Sequence, residues 1–81
     1  PFPGATFNLD GEVVKLRRAA LRPGVSGAPG QVLAAADGRL TVACGSGALD
    51  LLQLQRPGGR RIDTAAFLQA RPGLAGRVLG G

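Results

Sequence analysis

The residues best equipped for chemistry in this 81-residue chain are its bases. Lys15, Arg17, Arg18 and Arg22 lie along one candidate strand and its exit loop, while Arg56, Arg60 and Arg61 flank a Pro57-Gly58-Gly59 loop. Guanidinium forks match phosphate geometry and stay charged at any working pH. Brought to one side of a small domain, the two groups would track a phosphate backbone. The bland alternative is a generally solvated basic shell, and GC-rich coding would by itself raise the Arg content.

Other chemistries find little support. The chain has no His, which excludes imidazole acid–base or nucleophilic schemes and His metal sites. One Cys and five scattered carboxylates form no metal-ligand pattern. Gly45-Ser46-Gly47 invites a phosphate-loop reading, but such a loop needs an internal Lys and a following helix, and here a strand-like run follows. It reads as a tight hairpin turn. Cys44, in step with Leu40 and Val42, reads as a small core residue rather than a reactive thiol. Catalysis by this chain alone is not expected.

The elements that must position the bases are mostly strands. Residues 5–9 form a short strand ending at Asp10-Gly11, a hairpin turn signal. Residues 12–21 follow, with Val14 and Leu16 set against Lys15 and Arg17. That alternation breaks at Arg17-Arg18-Ala19, where a β-bulge would restore it. Residues 22–30 are a Pro- and Gly-rich loop. Residues 31–36 and 39–44 are strands joined by Asp37-Gly38, and residues 48–55 form a strand apolar on both faces, as a central or helix-covered strand would be. Residues 56–61 read as a loop. Asp63 or Thr64 then caps a short helix through Ala70, which Arg71-Pro72-Gly73 stops. The remainder is a tail or one short closing strand at Arg77-Val78-Leu79.

These elements predict a single all-β domain over residues 1–81 with one short helix: a small, partly open antiparallel barrel of oligonucleotide-binding type, with an SH3-like barrel as the competing architecture. A chain this short buries only about 60–65% of its unfolded surface, too little to enclose a deep catalytic cleft. Ten Lys and Arg against five Asp and Glu, nine of the ten being Arg, point to a polyanionic partner. With Phe2, Phe7 and Phe67 as the only aromatics, stacking platforms are nearly missing, so binding should follow backbone and shape rather than base identity. A single Cys allows no internal disulfide, no run reaches the ~20 apolar residues of a membrane span, and no signal peptide is evident. The chain reads as cytoplasmic and, beginning without Met, as an excised or cleaved domain.

The order of short motifs resembles the C-terminal domain of methionyl-tRNA formyltransferases along the whole chain. The matching pieces are Pro3-Gly4-Ala5, Asp10-Gly11, Val14-Lys15-Leu16, Ala19 and Pro29-Gly30-Gln31-Val32. They continue with Val42-Ala43-Cys44-Gly45, Gly47-Ala48-Leu49, Leu54-Gln55 and Gly58 through Arg61, then Phe67-Leu68 and Gly76 with Leu79. Each is weak alone, and their order and spacing carry the resemblance. It implies an oligonucleotide-binding-type barrel that follows a Rossmann-like catalytic domain. That domain would bind 10-formyltetrahydrofolate and hold the catalytic Asn, His and Asp, none of which maps onto this chain. Asn8, the sole Asn, is given no catalytic role. Many family members have Lys after the glycine aligned with Gly58, where this chain has Gly59. Lys15 matches the base the family usually carries between two apolar residues.

The resemblance thus implies a module that helps hold the initiator methionyl-tRNA beside the enzyme's own catalytic domain. Lys15, Arg17, Arg18, Arg56, Arg60 and Arg61 would contact phosphate, and the module itself would need no cofactor, metal or membrane. The rival is a structural appendage of a sugar- or folate-type formyltransferase, with no RNA binding.

Overall fold

A computed structural model describes residues 5–45 and 47–80 of the chain. Six strands and one helix follow in order: β1 (Thr6–Leu9), β2 (Glu12–Arg22), β3 (Val32–Ala36), β4 (Arg39–Ala43), β5 (Ala48–Gln55), β6 (Arg61–Asp63) and α1 (Thr64–Ala70). All pairings are antiparallel, in the order β1-β2-β5-β4-β3, with β6 paired to the remaining length of β5. The sheet curls into the small barrel the sequence predicts.

Local chemistry sets the turns. Asp10 and Gly11 both adopt positive φ (51° and 85°), as do Asp37 and Gly38 (55° and 73°). Two successive positive-φ residues make the mirror-image turn that suits the right-handed twist of a hairpin, and Asp and Gly tolerate it best. Ser46 lies outside the described residues. Its neighbours confirm a hairpin rather than a phosphate loop, because Ala43 pairs with Ala48 and the Cys44 N–H donates to the Gly47 carbonyl at 3.0 Å.

The predicted irregularity at Arg17 is a compensated pair of bulges. Leu16 pairs with Leu54, Arg18 with Gln53, and Ala19 with Leu51, so Arg17 on β2 and Leu52 on β5 are each skipped and the register recovers. β5 is central, bonded to β2 on one side and to β4 and β6 on the other. The core is built from Leu9, Val14, Leu16, Val32, Leu40, Leu51, Leu54, Phe67, Leu74 and Leu79. Phe67 on α1 is its largest fully buried side chain. Asp63 takes the helix N-cap position without a side-chain cap bond, and the Thr64 hydroxyl instead donates to the Leu51 carbonyl, tying α1 to β5.

The C-terminal segment does close the sheet. Asn8 and Gly80 exchange backbone hydrogen bonds (2.8 and 3.1 Å), and on the other side Val32 N–H donates to Arg77 O (2.7 Å) and Leu79 N–H to Gly30 O (2.8 Å). The segment thereby bridges the free edges of β1 and β3, and covered edges do not recruit other chains.

Two expectations are corrected. Cys44 is exposed, not a core residue, because β4 ends at Ala43 and Cys44 lies in the turn. The alternation that suggested burial also fails on the opposite face, where Thr41 is buried and its hydroxyl donates to Asp50 Oδ1 at 2.6 Å. The stretch expected to remain loop to Arg61 gives way there to β6, whose three residues pair with Gln53, Leu54 and Gln55.

Candidate nucleic-acid interface

The ladder registers place several of the predicted bases on one face. In antiparallel sheets directly opposite residues point to the same side. Thr6 pairs with Lys15, Lys15 with Gln55, and Gln55 with Arg61, which makes one polar row across β1, β2, β5 and β6. The inward row beside it, Leu16–Leu54–Ile62, packs into or against the core. Lys15 and Arg61 are thus two strand spacings apart, about 10 Å, on the outer surface. The next outer row is Arg18–Gln53–Asp63, in which Gln53 Nε2 donates to Asp63 at 3.5 Å. Arg17 sits in the bulge between these rows, and exposed Arg60 directly precedes β6.

The loop carrying Arg60 is built rather than slack. Gly59 N–H donates to Arg56 O at 2.9 Å, and Gln55 Nε2 donates to Gly59 O at 2.9 Å. Between this turn and β2 lies a groove of about 260 Å³ lined by Val13, Lys15, Gln55, Arg56, Pro57 and Gly58.

Arg56 differs from the other predicted bases because it is already paired. Its Nε donates to Glu12 Oε1 (3.0 Å) and its Nη2 to Glu12 Oε2 (2.7 Å). Glu12 Oε1 also accepts from Arg71 Nη2 at 2.6 Å. Arg71 Nη1 reaches Asp10 Oδ2 at 3.1 Å, and Asp10 takes two further bonds from Arg77, at 2.6 and 3.2 Å. The result is an alternating chain, Arg77–Asp10–Arg71–Glu12–Arg56, joining the β1–β2 turn to the helix C-cap, the closing segment and the basic loop. Hydrogen bonding from Arg77 holds the Asp10 carboxyl below its ordinary range, and hydrogen bonding from Arg56 does the same for Glu12. At the far end of β2, Arg22 pairs with Asp50 (2.8 Å).

The ion pairs therefore sort the charge. Among the described residues Lys15, Arg17, Arg18, Arg39, Arg60 and Arg61 have no carboxylate partner, and all but Arg39 belong to the outer rows, the bulge or the adjoining loop. The sequence did not reveal which bases would be neutralised. The partners of the chain are separated by 44 to 67 positions, so only the folded turn brings them together. Among the described residues no aromatic side chain supplements the outer rows. Phe67 is buried, Phe7 packs against the core from the inner face, and Phe2 lies outside the described residues. No group of three His, Cys, Asp or Glu among the described residues could hold a metal ion. No helix there is long and apolar enough to cross a membrane.

The family model for the formyl transferase C-terminal domain matches residues 1–72. The chain belongs to the formyl transferase C-terminal domain family. It is 63% identical over 71 residues to the methionyl-tRNA formyltransferase of Methylibium petroleiphilum, a match covering 88% of this chain and 22% of that protein. It is 49% identical over 72 residues to that of Ralstonia pickettii, covering 85% and 22%. With the Sinorhizobium medicae protein of the same name it shares 45% identity over 84 residues, covering 99% and 26%. The chain spans about a quarter of the length of the relatives it matches. The closing segment of this formyl transferase C-terminal domain, residues 74–80, lies past the matched stretch.

Proposed function

We propose that this domain is the tRNA-binding C-terminal module of a cytoplasmic methionyl-tRNA formyltransferase. It holds the initiator methionyl-tRNA by its phosphates while the enzyme's catalytic portion transfers a formyl group from 10-formyltetrahydrofolate to the methionyl amine. The supporting observation is the outer row Lys15–Gln55–Arg61 with Arg18, Arg17 and Arg60 around it, in a domain whose relatives bear that enzyme's name. Unpartnered bases over the outer face of the sheet, with no aromatic platform among the described residues, suit a phosphate backbone better than unstacked bases. Lys15 and Arg61 anchor the face, Arg18 and Arg17 extend it along β2, and Arg60 extends it over the loop. Formyl transfer itself falls to residues beyond this chain.

Titrating the 81-residue chain with labelled initiator tRNA at several salt concentrations tests the reading. Weak binding, about 10⁻⁴–10⁻⁶ M at physiological salt and steeply salt-dependent, is expected for a backbone contact of this kind. Absence of binding at low salt would leave a structural appendage of the catalytic portion as the better reading.

A further inference from the structure

Arg56 poses a question that the tRNA-binding reading leaves open, since it lines the same groove as Lys15 yet is forked onto Glu12. We propose that Arg56 is an exchangeable base: it rests on Glu12 in the free domain and passes to an RNA phosphate in the groove, while Arg71 keeps Glu12 paired. This rests on the tRNA-binding reading and adds to it the means by which the site gains a contact on binding.

The geometry of Glu12 carries the inference. Breaking an ion pair is costly when it strands a charge that water reaches poorly. Glu12 would not be stranded, because its Oε1 also accepts from Arg71 Nη2 at 2.6 Å. Arg71 is the least exposed guanidinium of the chain of pairs, at 20%, and is fixed at the helix C-cap and by Asp10. It is therefore a stationary counter-charge. Arg56 is the more exposed partner, at 38%, and forms the wall of an open groove whose other base, Lys15, is free. The Arg56–Glu12 fork is part-buried and bidentate, but Glu12 keeps its bond from Arg71 when Arg56 leaves, and a guanidinium–phosphate fork beside a second base is a charge-assisted contact of the same kind. Arg22 and Arg77 offer no parallel: neither lines the groove, and Asp50, the partner of Arg22, is retained by Thr41 rather than by a second guanidinium.

The test is a cycle of R56Q, R71M and the double variant in the 81-residue chain. The readout is binding of fluorescein-labelled initiator tRNA between 50 and 200 mM salt. Each engaged phosphate adds about 0.9 to the magnitude of the log–log salt slope. R56Q is expected to lower the slope by about that amount. R71M is expected to lower it equally, since Glu12 then has only Arg56 and retains it, and the double variant should lose no more than either alone. The Arg56 Nε–Hε resonance should move on tRNA addition in the unsubstituted chain, a readout that needs no variant to fold. Additive losses, an unchanged slope in R56Q or an unmoved resonance would overturn the exchange while leaving tRNA binding intact. No tRNA binding by the unsubstituted chain would overturn the underlying reading as well.

Discussion

Neutralising the two bases of the central row, K15Q with R61Q, separates backbone tracking from a general basic shell. Five bases without carboxylate partners surround the outer rows, namely Lys15, Arg17, Arg18, Arg60 and Arg61. If all five engage, the salt slope is about −4.5, and recruitment of Arg56 takes it to about −5.4. Raising salt from 50 to 200 mM then weakens binding about 500-fold with five contacts. Removing Lys15 and Arg61 leaves three, a slope near −2.7 and a weakening of about 40-fold over the same range. Both residues are exposed, so the substitutions should shift stability by less than about 0.5 kcal/mol. Thermal melts should therefore lie within about 4 °C of those of the parent chain. The control neutralises a pair elsewhere, R22M with D50N, which leaves the net charge unchanged and should leave the slope unchanged. Equal slopes for K15Q/R61Q and the parent chain would refute the placement of RNA on this face. A slope loss in the control pair, which changes no net charge, would instead mean that RNA also contacts the Arg22 end of β2.

Three further outcomes follow from the fold. Gly30 has φ +84°, and a Cβ there would lie 2.5 Å from the Leu79 carbonyl oxygen, so G30A should cost more than the ~1–2 kcal/mol of left-handed strain by displacing the closing segment. G11A, at φ +85° with open space around it, should show the strain alone in denaturant melts, and equal losses would refute the closure. F67A should cost about 3–5 kcal/mol, and a domain of this size has roughly 4–12 kcal/mol in all, so the variant should sit at or near unfolding by circular dichroism. For pH the sign is set by depressed carboxyls. Arg77 and Arg56 hydrogen bonds lower Asp10 and Glu12, and at Asp50 burial pushes upward but Thr41 and Arg22 outweigh it. The unfolded chain thus protonates first. Stability is full above the ordinary carboxylate range and is lost as pH falls from about 4 through the lower folded values. D10N should flatten that acid limb, and an unchanged limb would show that Asp10 contributes nothing to it.

Most of the fold was legible because its signals are local. Asp10-Gly11 and Asp37-Gly38 specify their turns through backbone preference, and the break at Arg17-Arg18-Ala19 shows directly as a change of parity. β6 was not legible, since three residues are too few to establish an alternation and its pairing depends on β5 already being in place. Cys44 misled because parity continues past the point where the ladder stops, and nothing local marks Ala43 as the last paired residue. The candidate bases were legible as residue types, but their ion-pairing state was not. Lys15 and Arg61 share a face only through the long-range β2–β5 pairing and through β6, and the pairing of Arg56, Arg71 and Arg77 likewise depends on segments more than 40 positions apart.

That division explains why a net charge of +5 understates the asymmetry of the surface. The two carboxylates nearest the β1–β2 turn are both committed to arginines from the C-terminal half, and the third ion-paired acid, Asp50, is committed at the opposite end of β2. The acids thus serve the barrel: they tie the closing segment, the helix end and the loop to one hairpin. In doing so they draw negative charge away from the middle of the sheet, where Asp63 shares the outer row of Arg18 and Gln53. A basic face could be made by adding bases, but adding them to a curled sheet this small raises self-repulsion everywhere. Placing the acids at the seams instead leaves the same bases concentrated on one face while the repulsion elsewhere is compensated. On this account acidic substitutions at the seams, such as Asp10 or Glu12 to the neutral amide, should weaken the barrel and the acid limb together. Substitutions in the central row should weaken RNA binding alone.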